Sequence, residues 1–205
     1  MSRADALERG LGALGLELDA RALERYLDLL EKWNRVYNLT AIRDRERMVT
    51  HHLLDSLAIL PHVRAPRVLD VGSGAGLPGI PLAIANPALQ VTLLDSSQKK
   101  AAFLRQAVAE LALRNAAVET GRVEAWRTSA RFETIVSRAF ADLGAFVAAT
   151  GRLLAPGGII AAMKGVHPSD EVERIPGGFQ VVNVVKLAVP GLDAERHLVI
   201  VGAQA

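Results

Sequence analysis

The stretch Arg67-Val68-Leu69-Asp70-Val71-Gly72-Ser73-Gly74-Ala75-Gly76-Leu77-Pro78-Gly79-Ile80-Pro81 constrains the chain more than any other. Val68 to Val71 is short, apolar and partly β-branched, and it follows the breaker Pro66, as a buried strand does. Gly72, Gly74, Gly76 and Gly79 come next, then the apolar run Ile80, Leu82, Ala83, Ile84 and Ala85, which suits a helix. Pro78 and Pro81 fit the first turn of that helix, where a missing N–H costs little. Glycines at a strand-to-helix turn let the backbone bend sharply and approach a ligand with no Cβ between them. Strand, glycine turn and helix, in this order, make a nucleotide-binding layout.

Two readings of the ligand compete. Gly74-Ala75-Gly76-Leu77-Pro78-Gly79 is a literal G-x-G-x-x-G, and Asp95 follows about 20 residues on, as the dinucleotide fingerprint asks. The other reading centres on Asp70-Val71-Gly72-Ser73-Gly74-Ala75-Gly76, which resembles motif I of the class I S-adenosylmethionine (SAM) methyltransferases. A carboxylate at the end of the first strand would repel a pyrophosphate. It suits a ligand with an ammonium group and no phosphate. A glycine-rich turn that holds no ligand is the plain alternative to both.

At 205 residues the chain reads as a single domain, with a helical extension over 1–62 and a sheet-bearing core over 63–205. Half of the residues are hydrophobic, yet no run reaches the ~18–20 apolar residues of a membrane span. The start, Met1-Ser2-Arg3-Ala4-Asp5, is charged and lacks the apolar segment of a secretory signal, so a cytoplasmic location away from membranes is expected. There are no cysteines, which removes disulfides, thiolate zinc sites and a cysteine nucleophile together. The five histidines show no ligand spacing, and His51 and His52 are adjacent, so no metal is expected. A net charge of +2 and a pI near 9.2 point only weakly to an anionic partner.

Leu23, Tyr26, Leu27, Leu30, Trp33 and Tyr37 recur at helical spacing, which predicts a helix from about Asp19, its N-cap, to Tyr37. A second helix is expected over 44–60, with Met48, His52, Asp55, Ser56 and Ile59 in play. The connector between them, Arg35 to Asp44, mixes polar and apolar side chains as functional loops do. From Arg67 on, strands are expected over 67–71, 90–94, 116–119, 134–137 and 158–163, with helices over 79–85, 97–113 and 143–154 between them. That alternation predicts a parallel sheet with helices on both faces. The runs 179–189 and 197–201, separated by Pro190-Gly191-Leu192-Asp193, leave no room for a helix and read as a terminal hairpin. Five parallel strands plus a terminal hairpin resemble the seven-stranded sheet of the class I SAM methyltransferases, so the fold class expected is α/β: a Rossmann-like core with a seven-stranded, mostly parallel sheet, an antiparallel terminal hairpin and an N-terminal helical extension. A dinucleotide dehydrogenase would continue with parallel strands and a substrate domain, for which little chain remains.

The chemistry-bearing candidates fall at the carboxyl ends of these strands. Asp95 ends the second strand, where it can accept from both ribose hydroxyls of an adenosine or cap the next helix. Val123-Glu124-Ala125-Trp126 follows the third strand; Trp126 suits either an adenine neighbour or the core. Ser137-Arg138-Ala139-Phe140 follows the fourth, in place of the Asn/Asp-Pro-Pro-aromatic tetrad of amino-group methyltransferases. Arg138 there, Lys164 after the fifth strand and Arg43 in the connector suggest a cleft for an anionic substrate, and Arg196 opens the last strand.

In order along the chain, Trp33-Asn34-Arg35-Val36-Tyr37-Asn38-Leu39-Thr40-Ala41-Ile42-Arg43-Asp44, His52-Leu53-Leu54-Asp55-Ser56-Leu57, the glycine turn into Leu77-Pro78-Gly79-Ile80-Pro81, Ser137-Arg138-Ala139-Phe140, Met163-Lys164-Gly165 and Glu195-Arg196-His197-Leu198-Val199 are similar to one family. It is the bacterial 16S ribosomal RNA guanine-N7 methyltransferases, also called glucose-inhibited division protein B, and the resemblance runs from about Leu27 to Val201. Ser73 and Ala75 stand where the family commonly has Thr and Pro; both are small. The resemblance implies SAM as cofactor, held by Gly72, Leu77, Val123, Glu124 and Arg138. The residue reading adds Asp70, Gly74 and Asp95. The resemblance implies 16S rRNA or the small ribosomal subunit as partner; on the residue reading, Asn38, Arg43, Lys164 and Arg196 are candidate RNA contacts and Arg138 orients the substrate. A SAM-dependent methyltransferase of another substrate, small molecule or protein, is the alternative, and a monomer is expected. Guanine N7 already carries a lone pair, so the reaction needs in-line placement rather than a general base.

Overall fold

The computed structural model describes residues 3–138, 140, 142–172 and 174–204, without the side chain of Arg3. Ala139, within the expected Ser137–Phe140 motif, lies outside the described residues. The chain begins with a helical layer: α1 (Arg3–Ala13), α2 (Arg21–Tyr37) and α3 (Arg45–Met48), the last running into a π-helical turn, Val49–Leu54, and then α4 (Asp55–Leu57). α2 forms because Leu23, Tyr26, Leu27 and Leu30 make one buried stripe. It stops at Asn38, whose left-handed backbone (φ 49°) lets its N–H return to the Asn34 carbonyl. Asp19 is not its N-cap. Ala20 takes that position, and Asp19 sits one residue further out, where its carboxylate accepts from the Arg21 N–H at 3.0 Å and pairs with the Arg21 guanidinium. Asp44 does cap α3, accepting from the Arg47 N–H at 2.7 Å.

Seven strands follow: β1 (Arg67–Val71), β2 (Gln90–Asp95), β3 (Ala116–Thr120), β4 (Phe132–Ser137), β5 (Leu154–Lys164), β6 (Phe179–Lys186) and β7 (His197–Ala203). Their order in the sheet is β3-β2-β1-β4-β5-β7-β6. β7 is antiparallel to β5 and to β6, while the first five strands pair in parallel. The intervening helices are α5 (Gly79–Ala85), α6 (Gln98–Glu110), α7 (Leu143–Thr150) and the short α8 (Ser169–Val172). The expected alternation and hairpin are therefore present. β5 starts four residues earlier than expected, at Leu154, and α6 ends at Glu110 rather than Leu113.

Alternate strand residues face opposite sides of the sheet, so Val68 and Leu69 belong to different apolar clusters. Val68, Val91, Leu93 and Val136 pack with α1, α2, α5 and α6, whereas Leu69, Leu94, Ile135 and Ile160 pack with α7. The N-terminal layer thus shares a face with α5 and α6. The chain runs outward from β1 to β3 and then returns to place β4 on the other side of β1. Loops leaving β1 and β4 therefore part in opposite directions and open a crevice at the carboxyl edge, the usual ligand site of open α/β sheets.

Candidate active site

The glycine turn after β1 is built as the sequence requires. Gly72, Gly74 and Gly76 all have left-handed backbone, with φ of 71°, 59° and 87°. Asp70 lies fully buried behind the turn, and its Oδ2 accepts from the Gly79 N–H at 2.9 Å. Its Oδ1 is buried with no hydrogen-bond partner among the described residues. Burial pushes this carboxyl up to about 7, although the Gly79 N–H pulls the other way. Asp95 ties two segments together: Oδ2 accepts from the Gly74 N–H and Oδ1 from the Ser97 N–H, both at 2.8 Å. It is not the cap of α6; Ser97 holds that place, accepting from the Lys100 N–H. A cavity of about 270 Å³ opens beside the turn, lined by Gly72, Ser96, Gly121, Val123, Glu124 and Phe140. Leu77 is buried under the turn. Trp126 is no part of the lining; it stacks on Phe132 at 6.2 Å, and its carbonyl accepts from Arg152.

A second cavity, of about 450 Å³, lies between the N-terminal layer and the ends of β4, β5 and β7. Thr40, Ala41 and Ile42 form one wall, and Arg138, Lys164 and Arg196 reach it from the sheet. Arg138 Nη1 donates to the His51 carbonyl at 2.9 Å and lies 3.4 Å from Asp55 Oδ2. Arg196 Nε donates to Asp55 Oδ1 at 3.0 Å. Lys164 also lines the cavity, with its ammonium already on Glu171 Oε2 at 2.7 Å and the Phe140 carbonyl at 3.2 Å. Arg43 donates to Asn38 Oδ1 at 2.9 Å; the two are exposed, next to Thr40 in the chain but outside the lining. His52 is buried, with Nε2 on Thr40 Oγ1 at 3.0 Å, and burial and then Arg138 push its pKa down to about 4.

Three residues matter here that the sequence did not single out for chemistry. Asp55 joins Arg138 to Arg196, and Glu171 neutralises Lys164 while accepting from the Leu143 N–H. Tyr26, buried in α2, donates its hydroxyl proton to the Ala75 carbonyl at 2.6 Å, so the helical layer touches the glycine turn directly. Periodicity puts both Asp55 and Tyr26 on buried helix faces, where a polar group needs a partner, which is a signal; Glu171 carries none. Among the described residues no helix is long and apolar enough to cross a membrane, and no group of three acids or histidines could hold a metal.

Comparison with solved structures places the fold. A glycopeptide N-methyltransferase, MtfA, complexed with SAM superposes with a TM-score of 0.62 at 18% identity, covering 75% of this chain and 88% of its own. CcbJ methyltransferase from Streptomyces caelestis gives 0.60 at 14% identity over 74% and 90% of the two chains. The architecture is that of the class I SAM-dependent methyltransferases. Among curated sequences, ribosomal RNA small subunit methyltransferase G of Neisseria meningitidis is 54% identical over 98% of both chains. Its counterpart in Chromobacterium violaceum is 56% identical over 94% of both. A family model described as rRNA small subunit methyltransferase G matches residues 19–199. The family-model match and these identities over nearly the whole length show that the chain belongs to the rRNA small subunit methyltransferase G (GidB) family.

Proposed function

We propose that this protein transfers the methyl group of SAM to N7 of one guanine in 16S ribosomal RNA, as a monomeric, single-domain cytoplasmic enzyme. The observation that carries the reading is that the segment just after β4 serves two cavities: Arg138 lines the basic cleft, and Phe140, two residues on, lines the cavity beside the glycine turn. The relatives are named for small-subunit ribosomal RNA, which supports RNA in the cleft.

The residues beside the glycine turn fit SAM. The turn brings backbone close with no Cβ in the way, Asp70 holds an unpartnered buried oxygen suited to an ammonium group, and Asp95 keeps lone pairs for ribose hydroxyls. Gly72, Gly74 and Leu77 shape the floor, and Val123 and Glu124 flank the adenine end of the cavity. When bound, SAM supplies an electrophilic methyl group on a sulfonium. The protein then has to place guanine N7 in line with that methyl and exclude water. No base has to be recruited, and the nearby His52 is held by Thr40 and is a weak proton acceptor. Arg138 orients the base through O6 or through a neighbouring phosphate, while Asn38 and Arg43 extend the RNA surface along the connector.

The test is tritium transfer from labelled SAM to deproteinised 16S rRNA and to intact small subunits from a strain lacking the gene. Label mapping to a single N7-methylguanine is the expected result. No incorporation into either RNA form, with SAM binding intact, would overturn the substrate assignment and leave another acceptor.

A further inference from the structure

Asp55 is the buried acid on which the cleft converges. Its side chain is 3% exposed, yet it faces two guanidiniums, Arg138 from the end of β4 and Arg196 from the start of β7, that are 28% and 23% exposed. A buried carboxylate is costly unless paired, and one carboxylate between two arginines leaves a net positive pair at the cavity wall. The backbone around Asp55 serves the same end. In an α-helix the Asp55 N–H would go to the His51 carbonyl, four residues back. In the π-helical turn it goes to the Thr50 and His52 carbonyls instead, and the His51 carbonyl accepts from Arg138. Local departures of this kind from α-helical pitch are frequent at functional sites.

We propose that Asp55 is a positioning residue that holds Arg138 and Arg196 as one clamp for a phosphate of the RNA strand entering the cleft. The proposal rests on the reading of the cleft as the RNA site. Among the described residues Arg138 Nε and Nη2 and Arg196 Nη2 make no hydrogen bond, so each guanidinium keeps donors for a ligand. A planar guanidinium matches two phosphate oxygens at once. Fixing both arginines beforehand removes from binding the cost of freezing two long side chains. Lys164, whose charge Glu171 meets, contributes less.

A double-mutant cycle on methyl transfer to small subunits tests this, with Asp55→Asn, Arg196→Met and both together. Each single variant is expected to raise the KM for RNA about tenfold with kcat and SAM affinity within about twofold. The double variant is expected to resemble either single one, because Asp55 acts through the arginines. Losses that multiply, or a normal KM in Asp55→Asn, would overturn the proposal and leave Asp55 as a plain structural tie. Should Asp55→Asn not fold, Arg196→Lys decides: it keeps the charge and loses the planar fork, so a KM raised as in Arg196→Met supports the clamp and a normal KM overturns it. A wild-type enzyme that labels no RNA would instead refute the underlying reading of the cleft.

Discussion

Two buried ionisable residues beside the site respond to pH in opposite senses. Asp70 binds its proton up to about pH 7 in the folded protein and only to about 3.8 in the unfolded chain, so its contribution to stability falls as pH rises through that window. His52 titrates near 4 when folded against 6.5 otherwise, so its contribution is lost as pH falls from 6.5 towards 4. Across the shared window the two slopes offset each other. Asp70→Asn is therefore expected to make the melting temperature of the SAM-free protein rise more steeply with pH than in the wild type, and His52→Gln to make it rise less or fall. Thermal scans at several pH values between about 4 and 6.5 check this; parallel curves for all three proteins would refute it. The acid before the glycines was readable from its motif. Its isolation was not: Oδ2 is taken by the N–H of Gly79, nine residues on, while Oδ1 is left buried without a partner among the described residues, which only the closed turn decides.

At the scale of elements, local pattern located nearly every strand and helix, and its failures have local causes. The helix expected over 44–60 changes pitch because the partner of the His51 carbonyl, Arg138, lies 87 residues away in the chain. No window of sequence contains both. The glycine turn separates two kinds of constraint in one loop. A Cβ at Gly74 would meet nothing closer than the Gly72 carbonyl at 3.7 Å, so only its left-handed backbone resists a side chain. A Cβ at Gly76 would fall 2.4 Å from Ile80 Cδ1, with the same backbone penalty added. Gly74→Ala should cost about 1 kcal/mol and Gly76→Ala about 3 kcal/mol of unfolding free energy. Urea titration of the two variants measures the difference, and equal losses would show that Ile80 yields freely.

For the molecule as a whole, the helical layer and the sheet share one apolar core. A single apolar cluster runs from Leu7 and Leu27 through Phe103 to Leu198, and polar ties cross the same boundary: Tyr26 to the Ala75 carbonyl, Arg25 to the Glu110 carbonyl, and Asp55 to both arginines. Denaturant unfolding followed by tryptophan fluorescence and by circular dichroism should therefore give one coincident transition. Trp33 reports on the layer and Trp126 on the opposite face, so two separated transitions would mean that residues 1–62 fold independently. By itself the sequence determined the order of strands and helices, the glycine turn with its acid, and the family, because each rests on residues close together in the chain or on motifs in fixed order. Tertiary structure alone decided which charges reach the cleft, that Glu171 neutralises Lys164, and that Asp55 joins Arg138 to Arg196. Those pairings form between residues distant in sequence, and only the packing of the helical layer against the carboxyl edge of the sheet brings them within hydrogen-bond range.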